Sequence, residues 1–150
     1  MQLGMIGLGK MGGNIVRRLL RGGHDCVVYD TNPENISQLA MEGATASLDI
    51  SSFIRQLQKP RAVWIMLPAG KVTESTINKI SDLLEKGDTI IDGGNTNYKD
   101  DVRRAHALSG KGISYIDVGT SGGVWGLDRG YCMMIGGDKE VVSLLDPIFK

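Results

Sequence analysis

The sequence predicts an α/β fold in one domain, with a doubly wound, mostly parallel sheet, and three observations carry that expectation. Short apolar runs alternate with longer segments whose apolar positions recur at helical spacing. Polar or glycine-rich turns follow four of the apolar runs. The first of these turns, Gly7-Leu8-Gly9-Lys10-Met11-Gly12, stands between a strand pattern and a helix pattern, where a phosphate-holding loop belongs.

Residues 1–6 are an apolar opening and read as strand one. In the turn that follows, Gly7 permits a tight bend, Gly9 lets backbone approach a pyrophosphate, and Gly12 lets helix and strand pack closely. The next helix carries Met11, Ile15 and Leu19 at i, i+4 and i+8, with Val16 and Leu20 beside them and Arg17, Arg18 and Arg21 on the rest; Gly22-Gly23 ends it. Cys26-Val27-Val28-Tyr29 is a buried-strand run, and Asp30 stands 18 residues beyond Gly12, near the acidic position of a dinucleotide fingerprint. Asn32 then caps a helix with Pro33 at its first position, Ile36, Leu39 and Ala40 inward, and Gly43 at its end. A short helix starting at Ser51 or Ser52 carries Phe53, Ile54 and Leu57 and stops by Pro60. Residues 62–67 are continuously apolar, as a strand covered on both faces is. Residues 71–85 read as a helix with Val72, Ile77, Ile80, Leu83 and Leu84 at loose helical spacing. Strands are expected at 89–92, 113–118 and 131–135, with helices at 97–109 and from Asp138 towards Leu145. A partly apolar helical segment is still in progress at 146–150, so the chain reads as the first domain of something longer.

Composition narrows the function classes. Lys plus Arg and Asp plus Glu number 17 each, so no net field draws nucleic acid or an anionic membrane. Hydrophobic residues make up 41 %, enough for a core. No apolar run approaches the roughly 18 residues that span a bilayer, and strand one starts too early to leave room for a signal peptide. Cys26 and Cys132 fit neither a metal spacing nor a disulfide framework. The expectation is a cytoplasmic protein with no metal site.

In a doubly wound sheet, ligands gather at the C-terminal ends of the strands. Four segments fall there: 7–12, 67–70, 92–96 and 119–123. Pro68, Ala69 and Gly70 offer a small-residue wall to a nicotinamide ribose. Asn95 offers both an amide donor and a carbonyl acceptor, and Ser121-Gly122-Gly123 a hydroxyl with consecutive backbone N–H groups. Asp30 can accept from both hydroxyls of a ribose and repels a 2′-phosphate, which favours NAD over NADP while leaving NADP possible.

The set GLGKMG, LPAG, IDGGNT and SGG, in this order and spacing, resembles the N-terminal domain of the decarboxylating 6-phosphogluconate dehydrogenases, within the wider β-hydroxyacid dehydrogenase superfamily. The resemblance covers essentially the whole chain. Gly93-Gly94-Asn95 is its most discriminating piece, because relatives acting on 3-hydroxyisobutyrate or glyoxylate usually have a serine-rich turn in that place. The resemblance implies a Rossmann-type NAD(P)-binding domain over 1–150. Gly7, Leu8, Gly9, Lys10, Met11, Gly12, Asp30, Thr31, Asn32, Leu67, Pro68, Ala69 and Asn95 would line the cofactor. Asn95, Ser121, Gly122 and Gly123 would contact 6-phosphogluconate. NADP-using members often place Asn-Arg-Thr where this chain has Asp30-Thr31-Asn32. Val124-Trp125 follow the SGG turn where larger members have two acidic residues, which resembles the shorter branch of the family.

The implied reaction, a step of the pentose phosphate pathway, has three stages. The C3 hydroxyl of 6-phosphogluconate is oxidised by hydride transfer to nicotinamide, the C1 carboxylate leaves as carbon dioxide, and the enediol tautomerises to ribulose 5-phosphate. The family's catalytic lysine and glutamate, with a nearby histidine and asparagine, lie on a helix beyond residue 150, so this chain is expected to hold no catalytic acid or base. Homo-oligomerisation is expected through that C-terminal helical domain. Lys71 and Lys99 read as solvated, His24 as part of a turn, His106 as helix surface and Trp64 as strand core. Trp125 could cap the substrate pocket or pack against the further domain. Two alternatives are a 3-hydroxyisobutyrate or related 3-hydroxyacid dehydrogenase, and a stand-alone dinucleotide-binding module.

Overall fold

A computed structural model describes residues 1–150. The apolar runs become strands β1 (Gln2–Ile6), β2 (Asp25–Tyr29), β3 (Thr45–Ala46), β4 (Ala62–Ile65), β5 (Thr89–Asp92), β6 (Ser114–Ser121) and β7 (Cys132–Gly136). They form one sheet in the order β3-β2-β1-β4-β5-β6-β7, parallel except for the antiparallel β6–β7 pair. The helices are α1 (Lys10–Arg21), α2 (Pro33–Met41), α3 (Ile50–Gln56), α4 (Lys71–Ser81), α5 (Tyr98–Ser109), α6 (Gly126–Arg129), α7 (Lys139–Leu144) and α8 (Asp146–Phe149). No helix is long and apolar enough to cross a membrane.

Side chains that alternate along each strand feed two separate cores. Cys26, Val28, Trp64, Ile91 and Ile116 face one side, where Ile15, Val16 and Leu19 of α1, Ile36 and Leu39 of α2, and Ile148 of α8 cover them. Val27, Val63, Ile65, Ile90 and Tyr115 face the other, under Phe53 and Ile54 of α3, Ile77 and Ile80 of α4, and Leu108 of α5. Both faces are therefore apolar and the inner strands read as continuous hydrophobic runs, as expected for crossover-connected parallel strands.

Four expectations change in detail. Strand β3 has no sequence signal, since its two residues are exposed and only pair with Val27 and Val28 at the sheet edge. Helix α3 starts at Ile50, because Asp49 is its cap: its carboxylate accepts from the Ser52 amide and hydroxyl, each at 2.8 Å. Helix α4 stops at Ser81, and Val72 and Leu83 lie outward at 53 % and 39 % exposure. Thr73 takes the inward place instead, its hydroxyl donating to the Pro68 carbonyl at 2.8 Å. Strand β6 runs on to Ser121, because β7 pairs back on it from Asp117↔Gly136 to Ser121↔Cys132. Residues 119–121 are therefore strand, and the turn begins only at Gly122.

Candidate functional site

Parallel register brings Tyr29, Ile6, Ile65, Asp92 and Asp117 into one row across β2, β1, β4, β5 and β6. The loops after Tyr29, Ile6, Ile65 and Asp92 open on one rim. Connections diverge between β1 and β4, which makes that junction the topological switch point and the natural ligand crevice.

The glycine loop is built by close approach at this crevice. Gly7 lies at φ +94°, donates its N–H to the Tyr29 carbonyl at 3.1 Å, and has no room for a Cβ, which would overlap the Met66 carbonyl oxygen. A Cβ on Gly12 would overlap the Gly7 carbonyl oxygen, so α1 can start this near β1 only with glycine there. Gly9 differs from both. It is the N-cap of α1 with no side-chain cap, and a Cβ there would meet nothing within 4 Å. The N–H groups of Lys10, Met11 and Gly12 have no acceptor in the protein, leaving backbone donors beside open space. This arrangement fits a dinucleotide pyrophosphate. Lys10 is exposed, and Leu8 and Met11 are buried and half-buried respectively.

Asp30 reaches back across the rim. Its carboxylate accepts from the Leu8 amide at 2.7 Å and the Asn32 amide at 2.9 Å, with longer contacts to Thr31 and Asn35 at 3.4 Å. Burial opposes its ionisation, but the Asn32 and Leu8 amides, with Asn35 and Thr31, outweigh that and hold its pKa below the ordinary carboxylate value. Asp30 thus ties the glycine loop to the start of α2, a task the sequence did not disclose. Thr31 and Asn32 are exposed beside it, and the Asn32 side chain accepts from the Glu34 amide at 3.0 Å as the α2 cap.

After β4, Leu67 is half-buried, and Pro68, Ala69 and Gly70 are exposed. The β5 turn presses against this loop. A Cβ on Gly93 would overlap Met66 and one on Gly94 the Leu67 carbonyl oxygen, so the glycine pair is required by that approach. Asn95 follows at φ +51°, the sole non-glycine residue in the left-handed region, exposed and with no side-chain hydrogen bond in the protein. It shares a cavity of about 240 Å³ with Asp92, Thr96, Asp101, Asp117, Val118 and Gly119. Ser121, at the end of β6, and Gly122 and Gly123 in the turn after it are exposed and do not line that cavity. Gly122 abuts Tyr131, and Trp125, 60 % exposed, has the Arg129 guanidinium 5.1 Å from its ring centre.

Beneath Asn95 lies a buried polar network that pattern reading passes over. Arg104, 4 % exposed, bonds Asp92 at 3.2 Å and Glu74 at 2.8 Å, while Arg103 grips Glu74 through both its terminal nitrogens. The Arg103 hydrogen bond, supported by Arg104, outweighs burial and pulls the Glu74 pKa down to about 2. The missed signal is positional: Arg104 sits four residues before Leu108, on the inward stripe of α5, where a search for apolar residues discards an arginine. Lys71 and Lys99 are exposed at the starts of α4 and α5, His106 is exposed on α5, and His24 lies 3.2 Å from the Met1 amino group, away from the rim.

Comparisons with known proteins bear on the fold and the family. Residues 2–150 match the family described as the NAD binding domain of 6-phosphogluconate dehydrogenase. A putative 6-phosphogluconate dehydrogenase of Bacillus subtilis is 41 % identical over all of this chain and 50 % of its own length. An NAD(+)-dependent, decarboxylating 6-phosphogluconate dehydrogenase of Haloferax volcanii is 37 % identical over 99 % of this chain and 49 % of its own. Among solved structures, the 6-phosphogluconate dehydrogenase of Plasmodium falciparum superposes with a TM-score of 0.90 at 31 % identity, over 99 % of this chain and 33 % of that one. The chain spans about half the length of the first two relatives. It belongs to the family of NAD-binding domains of 6-phosphogluconate dehydrogenase.

Proposed function

We propose that the chain is the cofactor-binding half of a decarboxylating 6-phosphogluconate dehydrogenase that prefers NAD to NADP. Family membership supplies the reaction class. The observation in this chain that carries the reading is the Gly93-Gly94-Asn95 turn, which presents a free side-chain amide on the same rim as the uncapped start of α1. Nicotinamide, when bound, supplies the hydride acceptor. The chain's own residues hold and orient. The amides of Lys10, Met11 and Gly12 receive the pyrophosphate, and the space over Gly9 admits it. Leu67, Pro68 and Ala69 wall the ribose. Asn95 and the Ser121-Gly122-Gly123 segment hold hydroxyl and carboxylate groups of 6-phosphogluconate. Asp30 keeps a negative charge where a 2′-phosphate would come, which favours NAD. The proton-transferring groups belong to a helical domain beyond residue 150, and homo-oligomerisation through that domain is part of the same proposal.

Two measurements test the reading. Calorimetric titration is expected to give tighter binding of NAD than NADP, and equal or tighter binding of NADP would overturn the cofactor preference. In the full-length protein, turnover of 6-phosphogluconate is expected to exceed that of 3-hydroxyisobutyrate. The reverse order would sink the substrate assignment.

A further inference from the structure

Asn95 makes no side-chain hydrogen bond of its own, yet both its neighbours are tied to one carboxylate. Asp92 accepts from the Gly94 amide through Oδ1 at 2.9 Å, and from the Thr96 hydroxyl through Oδ2 at 2.7 Å. The same Oδ2 accepts from Arg104 at 3.2 Å and from the Tyr115 hydroxyl at 2.7 Å. Asp92 is 3 % exposed, so these four donors stand in for water.

The Tyr115 hydroxyl also lies 2.7 Å from Asp101 Oδ1. A phenol has one proton, and two ionised carboxylates cannot both accept it, so the second short contact needs a second proton. Asp92 already accepts from an arginine, an amide and a hydroxyl besides Tyr115, whereas Tyr115 is the sole side-chain partner of Asp101. The second proton therefore belongs on Asp101, which donates to the Tyr115 oxygen while Tyr115 donates to Asp92. Asp101 is faced by Asp92 from β5, by Tyr115 and Asp117 from β6, and by Arg104 from its own helix, with Glu74 of α4 behind Arg104. Burial, with the charges of Asp92 and Asp117, raises the Asp101 pKa despite the Tyr115 hydrogen bond and Arg104.

We propose that Asp92 is the positioning residue that holds Asn95 in its left-handed turn, and that a proton chain from Asp101 through Tyr115 maintains that hold. The inference rests on the reading of Asn95 as a substrate contact. Loss of the Asp101 proton leaves two anions facing one phenolic proton, and the grip of Asp92 on Gly94 and Thr96 loosens.

The test uses Asp101→Asn, whose amide is isosteric with the protonated acid and can donate to Tyr115 without titrating. In isotope-labelled protein, the Asn95 backbone amide resonance is expected to shift as pH rises above the ordinary carboxylate range, in step with the Asp101 carboxyl carbon. In Asp101→Asn it is expected to stay at its acid-limb position. A flat Asn95 resonance in the unmodified protein, or an unchanged titration in the variant, would overturn the proton chain. In the full-length protein, kcat for 6-phosphogluconate is expected to fall about tenfold as pH rises through that same titration. Asp101→Asn is expected to lose that fall, with KM for NAD unmoved. The same loss with rising pH in the variant would remove the chain from catalysis. A full-length protein that does not oxidise 6-phosphogluconate would refute the proposed function, while the resonance measurement would still decide whether Asp101 governs Asn95.

Discussion

The two halves of the rim are built from opposite materials. At the β1–β4 crevice the determinants are backbone: Gly7 and Gly12 allow carbonyls and helix to close up, and Gly9 leaves space above bare amides. At the β5–β6 end they are also side chains: Asp92 holds the turn and is itself bonded by Arg104 and Tyr115, with Glu74 and Arg103 bracing Arg104 from behind. Backbone sites accept an anion through geometry that any polyphosphate shares. A side-chain network fixes one residue at one place, which is what discrimination between substrates requires.

The largest effect that would break this contrast is predicted at Asp92. Asp92→Ala removes the acceptor of a buried arginine and two hydroxyls, and loss of a buried ion-pair partner costs about 3–5 kcal/mol. The lower end applies, because Glu74 still pairs with Arg104. Denaturant unfolding should show it as a lowered midpoint at an unchanged slope.

The glycine loop sharpens the contrast from the other side. Gly12→Ala forces a Cβ onto the Gly7 carbonyl, and backbone cannot yield as a flexible side chain would, so a loss of about 1–3 kcal/mol is expected. Gly9→Ala meets nothing in the protein and should leave stability within about 0.5 kcal/mol. Its NAD affinity should nonetheless fall, because the new methyl occupies the space proposed for the pyrophosphate. Unfolding and calorimetry on both variants separate packing from binding, and equal stability losses would mean that Gly9 is structural too.

The backbone half and the Asn95 turn are legible in the sequence, and the network beneath that turn is not. Glycine spacing is local, so the order strand, turn, helix at residues 1–21 can be read from neighbours alone. The network draws Glu74, Asp92, Arg104 and Tyr115 from four elements, and only the fold brings them together. The full length of β6 is hidden for a related reason: its extension to Ser121 depends on pairing with β7, a partner that comes later in the chain. Asp30 was found by spacing, but its bond to the Leu8 amide crosses 22 residues and emerges only in three dimensions.

The smallest predicted effect distinguishes two acids within the side-chain half by the sign of their pH dependence. Glu74, gripped first by Arg103 and then by Arg104, has a folded pKa of about 2 against an ordinary 4.5. Its contribution is complete above the ordinary value and is lost as pH falls from there towards 2. It is about a third exposed, so water screens part of the pairing and the loss should be modest. Asp101 runs the other way: a raised carboxyl pKa means that the folded state holds the proton more tightly, so its contribution weakens as pH rises above the ordinary carboxylate range. Stability measured against pH should therefore show a shallower acid limb in Glu74→Gln and, in Asp101→Asn, a shallower decline as pH rises above the ordinary carboxylate range. An acid limb unchanged by Glu74→Gln would assign the acid sensitivity to Asp30, Glu42 and Asp49, whose pKa values are also held down by hydrogen bonds.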